Sequence, residues 1–504
     1  MTAALRAAIH RAQETEPSAQ QVLSPLHALG RRQLSQVDLI GQSLSTIAPA
    51  TGMVFIALWM TVRDPGLGGV LTIAATTAVV VLVAVCITGF TRRLAAAGSL
   101  YSFVFQGLGT RAALATGTAL IVGYLGIAVS VLAQGAGTVL DIGELVGLPV
   151  PDHGMWIVAI VILGGVVALI AVRGVRFATR AILIVECCSL VLIVATMIVV
   201  RDDTGVSATV QSDPSMSLLP FLALMTVLSM AGFESAAFFG PEARRPLVTV
   251  SRTVLITPLV VGVLFVFAAI ASLSGRGSLI VDAYFGGLDS GAPWAVVLAV
   301  KTGMACSWFA STLGCAQAGS RLLYSMGVEG VLSSSLARVH GTLRTPCVAV
   351  LAFTGASVVG AGVYAASAGA DSPAFDGVVE IALVTAYTLV AVASLRFLHR
   401  IGEDTTWTRV AGVFVALLGG GLLVSTAVDG IVRAALVVPV AGVVIVVSGA
   451  VWQTVLRWFR PRSLTTIGAF DTVETTDLLP GAGQLILDED GRRRIVTDSV
   501  PGET

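Results

Sequence analysis

Long apolar runs alternate with short polar connectors along most of the chain. The runs fall near residues 40–61, 70–90, 114–140, 154–172, 179–200, 218–240, 251–273, 293–325, 347–367, 378–398, 408–428 and 432–459. A helix crosses the hydrocarbon core of a bilayer with about 20 apolar residues. The pattern therefore predicts an all-α polytopic membrane protein with 12 transmembrane helices. The eighth run is too long for one straight span, so its ends are expected to leave the membrane or to follow a loop. Polar tails flank the array at 1–38 and 460–504. The first lacks the pattern of a cleavable signal peptide, and the second reads as disordered or peripheral.

Composition sharpens this reading. Of 504 residues, 55% are hydrophobic and 12% charged, about half the charge of a soluble domain. A water-facing globule of this size could not be covered, which excludes a soluble enzyme, a single-span receptor, a nucleic-acid binder and a disordered scaffold. The lipid bilayer is the implied partner; no nucleic acid is, and the sequence sets no oligomeric state. Formal net charge is zero, so only the distribution of charge informs. Arginine-rich loops stay on the cytoplasmic side. With the amino terminus inside, 25 of the 30 bases fall in inner loops and tails; Arg63, Arg201, Arg276 and Arg433 lie outside, and Lys301 lies within a span. Both termini are thus expected in the cytoplasm, in a multi-pass protein of the plasma membrane.

Two spans carry residues that a simple lipid-spanning helix does not need. The first contains Ser45-Thr46-Ile47-Ala48-Pro49-Ala50-Thr51-Gly52. Pro49 removes an amide donor and clashes with the preceding turn. A break there would free carbonyls before it, which attract an ammonium, and amides after it, which attract a carboxylate; a plain proline kink is the alternative. The sixth contains Ser229-Met230-Ala231-Gly232-Phe233-Glu234-Ser235. A charge at mid-depth costs on the order of 3 kcal/mol, so Glu234 must be neutral, paired, or facing a wet cavity. Two interrupted helices five spans apart suit two five-helix repeats of opposite topology with a site between them. A membrane enzyme would need clustered His, Asp or Cys. The five histidines sit at helix ends or in loops, and the six cysteines suggest buried free thiols. No metal site is expected.

Three stretches in order now carry a resemblance: Ala97-Gly98-Ser99-Leu100-Tyr101 with Gly107-Leu108-Gly109; Gly232-Phe233-Glu234 followed by Pro241-Glu242-Ala243-Arg244-Arg245-Pro246; and Ser320-Arg321-Leu322-Leu323-Tyr324-Ser325-Met326 with Thr345-Pro346. Over roughly residues 36–400 the chain resembles the amino acid–polyamine–organocation permease superfamily. The resemblance implies a leucine-transporter-type 5+5 inverted repeat, 39–200 and 218–400, with two further helices at 407–459. It implies secondary transport of an amino acid or related amine. It places a substrate carboxylate on the amides of Ala50, Thr51 and Gly52, and an ammonium on carbonyls near Ile47, Ala48, Leu228 and Ser229, with Gly232 at the same turn. Phe233 and Glu234 match the gate of the sixth helix, Tyr387 resembles a gate tyrosine, and Tyr124 falls where the third helix lines the chamber. Leu228 stands where arginine exchangers place a tryptophan, which weakens an arginine assignment.

The chain needs no cofactor on this reading beyond a coupling ion, proton or sodium. Glu186 in the fifth helix is a candidate to load and release a proton, or else a structural acid paired to a neighbouring helix. Ser311 and Thr312 could complete a sodium shell, although such hydroxyls more often bond back to their own helix. Lys301 is expected to snorkel to the outer surface, and Gly419-Gly420-Gly421 to permit close helix packing. An amine or polyamine carrier of the same fold and a non-transporting sensor are the other readings of this pattern.

Overall fold

The computed structural model describes residues 28–30, 33–149, 152–200, 218–367, 373–432, 436–470, 484–487 and 493–496. Most of the amino-terminal tail, Arg201, Arg433 and most of the segment after 470 lie outside the described residues. Helices dominate: α1 Gln36–Ile47, α2 Pro49–Arg63, α3 Gly66–Thr91, α4 Leu100–Leu108, α5 Thr110–Leu145, α6 His153–Val172, α7 Val175–Val199 and α8 Leu218–Ser229. A 3-10 stretch, Phe233–Glu242, leads to α9 Pro246–Ala271, α10 Ser278–Phe285, α11 Trp294–Val328, α12 Cys347–Ser367, α13 Pro373–Arg400, α14 Thr406–Val432 and α15 Val437–Phe459.

Among the described residues, eleven helical segments are long and apolar enough to cross a membrane, with α1 and α2 together forming one of them. The expected sixth span is absent from that set because the run divides into the 12-residue α8 and the 10-residue 3-10 stretch. The eighth run forms one helix rather than a helix and a loop: α11 continues unbroken for 35 residues, about 52 Å at 1.5 Å per residue, longer than the roughly 30 Å core of a bilayer. Its far end is not bent out of the way but buried among neighbours, with Arg321 fully enclosed.

The polarity of the fold is that of a protein solvated by lipid. Val158, Ile162, Leu169, Val191, Val359, Val424 and Val443 are exposed on the outside, while Gln42, Ser43, Ser45, Thr116, Glu234, Glu242 and Arg321 are buried. Each buried polar group must then find its partner within the protein. The cysteines depart from the uniform burial expected of them: Cys86 and Cys315 are buried, Cys187 and Cys188 are exposed, and Cys306 and Cys347 are intermediate.

The first described part of the carboxy-terminal tail, residues 461–470, packs on the helical bundle. It returns to the carboxy-terminal end of α11, where Ser463 Oγ donates to the Gly330 carbonyl at 3.0 Å and Thr466 Oγ1 to the Glu329 carbonyl at 2.6 Å. The Gly468 amide donates to Glu329 Oε1 at 2.8 Å. Further on, Gln484–Leu487 pairs antiparallel with Arg493–Val496.

Candidate functional site

The first span is broken at one residue. Ala48 sits at φ 57°, ψ 59°, between α1 and α2. The left-handed conformation costs a non-glycine residue on the order of 1–3 kcal/mol, so its surroundings must impose it. Pro49 becomes the first residue of α2, where the missing amide costs nothing. On the α1 side, Gln42 Nε2 donates to the Gly314 carbonyl at 2.9 Å, and Ser43 Oγ accepts from the Ala236 amide at 3.0 Å. Ser311 Oγ donates to the Thr46 carbonyl at 3.0 Å. The end of α1 is thereby tied to α11 and to the 3-10 stretch.

The second break follows α8. The chain tightens into three-residue bonds: Met230 N to the Val227 carbonyl at 3.2 Å, Ala231 N to Leu228 at 2.9 Å, and Ser235 N to Gly232 at 2.9 Å. Gly232 turns through φ 102°, a region that glycine enters without strain. A Cβ there would also meet Thr46 Cγ2 at 2.6 Å. The two breaks therefore cross at Thr46 and Gly232, with backbone packed on side chain.

The backbone groups named from the sequence are distributed unevenly. The Gly52 amide donates to the Ala48 carbonyl at 3.0 Å, which leaves Ala50 and Thr51 as the amides of the first turn of α2 without a partner inside the helix. The hydroxyl of Thr51 is buried without a hydrogen-bond partner. Leu228 spends its carbonyl on Ala231. Ile47 and Ala48 are buried, whereas Leu228 and Ser229 are half-buried.

Three of the named side chains converge. Glu234 is fully buried and accepts at Oε1 from Tyr124 Oη at 2.8 Å and at Oε2 from Tyr387 Oη at 2.9 Å. The Gly232 amide reaches Oε2 at 3.2 Å. Phe233 packs its ring 5.8 Å from that of Tyr387. Helices α5 and α13 are thus joined through one carboxyl group on the broken segment.

Glu186 of α7 stands at the other side of the first break. Ser307 Oγ of α11 donates to its Oε1 at 3.1 Å. The carboxyl faces the Ala50 amide, and Oε2 has no partner within bonding distance. Ser311 and Thr312 part company: Thr312 Oγ1 bonds back to the Trp308 carbonyl at 2.9 Å, while Ser311 reaches α1.

A cleft of about 460 Å³ opens near the end of α5, between α2, α6 and α10. Phe55, Gln134, Asp141, Asp152, His153, Trp156, Tyr284 and Phe285 line it. Lys301 does not snorkel outward as expected. It donates to Asp141 Oδ2 at 2.6 Å and lies 5.8 Å from the centre of the Tyr284 ring, because two neighbours on adjacent helices satisfy it where it stands. The short helix α10, which supplies Tyr284 and Phe285, was not legible as an element. Its only signal is an aromatic pair in an otherwise weakly apolar connector.

The opposite end of the bundle holds a second feature that sequence reasoning missed. Arg321 Nε donates to Glu242 Oε2 at 2.8 Å and Nη2 to Oε1 at 3.1 Å, both side chains being enclosed. Both residues lie in the motifs that carried the resemblance, but nothing in their spacing announces that they pair.

With this geometry in view, comparison with known proteins decides the family. The sequence profile of the amino acid permease family matches residues 34–459. The chain belongs to the amino acid permease family. The permease is thus a multi-pass membrane transporter. No curated protein sequence matches it. Among solved structures, a manganese transporter of Eremococcus coleocola, in complex with an aromatic bis-isothiourea substituted compound, aligns with a TM-score of 0.48 and 14% identity over 90% of this permease and 97% of that chain.

Proposed function

We propose that the permease is a secondary active transporter that moves an amino acid across the plasma membrane by alternating access. The observation that carries this reading is the crossing of two helix breaks, at Ala48 and Gly232, beside a buried Glu234 held by Tyr124 and Tyr387. The Thr51 amide and the idle Thr51 hydroxyl suit a carboxylate, beside the Ala50 amide that faces Glu186. Carbonyls at the two breaks, near Ile47, Ala48 and Ser229, suit an ammonium. Glu234, Phe233 and Tyr387 act as a gate, since the carboxyl can hold α5 and α13 together only while both phenols reach it.

On this reading α8 and the 3-10 stretch together make the sixth of 12 spans, residues 39–200 and 218–400 are inverted repeats, and both termini are cytoplasmic. Glu186 couples transport to protons, because its free oxygen and the Ala50 amide place a proton-exchanging group at the first break. Ser311 would then brace Thr46 rather than serve a sodium ion. Symport and exchange are both compatible with this arrangement. An amine or polyamine substrate is the second reading, favoured by the acids Asp141 and Asp152 among the aromatic rings of the cleft.

Uptake of labelled amino acids and amines into proteoliposomes, under imposed pH and sodium gradients, tests these assignments. Proton-driven uptake of carboxylate-bearing substrates is expected. Glu186→Gln should retain exchange but lose stimulation by an inward proton gradient. Uptake of amines lacking a carboxylate, to the exclusion of amino acids, would overturn the first reading.

A further inference from the structure

A buried ion pair is a poor device for stability alone. Replacing both partners with apolar residues is often neutral or favourable, whereas removing one leaves an uncompensated charge. The enclosed pair Arg321–Glu242 therefore calls for another explanation, and its connections supply one. Glu242 ends the 3-10 stretch that follows the second break. Its backbone carbonyl accepts from the amides of Gln33 at 2.8 Å and Leu34 at 3.0 Å, and the Arg244 amide donates to the Leu34 carbonyl at 3.0 Å. The approach to α1 and the exit of the second break are thereby clipped together. On the other side, Arg321 Nη1 donates to the Gln317 carbonyl at 2.9 Å, and Gln317 Nε2 reaches the Ala171 carbonyl of α6 at 3.3 Å. The Phe239 ring lies 4.1 Å from the guanidinium carbon and closes it from water.

Two bodies meet here: the broken segments on one side, α11 and α6 on the other. Cys315 on α11 lies near Ser311 and Glu234. Arg321 is six residues further along, about 9 Å toward the arginine-rich end. The pair thus stands between the level of Cys315 and Glu234 and that end of α11. We propose that Arg321 and Glu242 form the cytoplasmic gate of the permease, dry and locked when closed, separately hydrated when open. A charged pair suits this role because water stabilises both groups once they part, whereas an apolar plug would resist wetting.

This gate rests on the alternating-access reading above, so its first readout, alkylation of a thiol, needs no substrate, and uptake enters only for the double variant. The full chain is placed in inside-out membrane vesicles with Cys86, Cys187, Cys188, Cys306 and Cys347 replaced by alanine or serine. Alkylation of Cys315 by a membrane-impermeant sulfonated maleimide then reports opening from the cytoplasmic face. Glu242→Gln and Arg321→Gln, each leaving one charge unpaired, are expected to speed alkylation by at least about tenfold. The apolar pair Glu242→Leu with Arg321→Met is expected to fold, to protect Cys315 and to abolish uptake. A merely structural pair would behave otherwise: the double variant would transport normally. That result, or unchanged alkylation in folded single variants, would overturn the gate whatever the substrate proves to be.

Discussion

At the residue scale, Glu234 shows why side-chain type and position can be legible while role is not. An acid in an apolar run had to be satisfied somehow, and the sequence could name Tyr124 and Tyr387 as chamber residues without linking them. The link depends on α5 and α13 approaching the same turn, a long-range fact that no local pattern carries. Three donors converge on this carboxyl. Glu234→Gln replaces an acceptor with an amide donor facing an O–H or N–H group, and uptake should fall at least about tenfold, since an unsatisfied buried polar group costs about 1–3 kcal/mol. Tyr124→Phe and Tyr387→Phe should each do less. Combined, they should deviate from additivity by about 0.5–3 kcal/mol because they share one partner; strict additivity in transport and thermal stability would refute a shared carboxyl. Ser311 and Thr312 teach the same lesson, since adjacent hydroxyls with identical local prospects bond to different helices.

At the scale of elements, apolar periodicity located nearly every helix, because lipid imposes length and hydrophobicity directly on the sequence. It failed where backbone geometry departs from a simple helix. The bond pattern after Ser229 arises from contact with Thr46, which hydropathy does not encode. The glycine run of α14 illustrates the limit. Gly419 packs so closely on Thr388 that a Cβ would overlap its hydroxyl, whereas Gly420 and Gly421 meet nothing within 4 Å. The expectation of close packing therefore holds for one glycine of the three. Gly420 and Gly421 instead line an apolar groove of about 830 Å³ on α14. Gly419→Leu should destabilise the folded protein by about 1–3 kcal/mol through overpacking, measured as a lower melting temperature in detergent. Gly420→Leu should leave it unchanged.

At the scale of the whole molecule, composition revealed a polytopic membrane protein, and three ordered motifs suggested its family and, through it, transport. The contacts at the carboxy-terminal end of α11 were hidden because they depend on tertiary pairing: Arg321 with Glu242, and Glu329 between Tyr101 and the returning tail. Tyr101 Oη donates to Glu329 Oε2 at 2.6 Å while Gly468 holds the other oxygen. Removing residues 460–504 should strip that carboxyl of a donor and lower the melting temperature, and Glu329→Gln should make the full-length chain nearly as unstable. A truncated chain as stable as the full one would show that the tail contributes nothing to this end of the bundle.

The pairing of Lys301 with Asp141 has a practical outcome. Lys301 is the one lysine in the chain, and its side chain is 10% exposed. Acylating reagents should pass it by in the native protein and modify it once detergent denaturation separates the ions. Mass spectrometry of the tryptic fragment ending at Arg321 would record the difference, giving a covalent readout of native structure at a single atom.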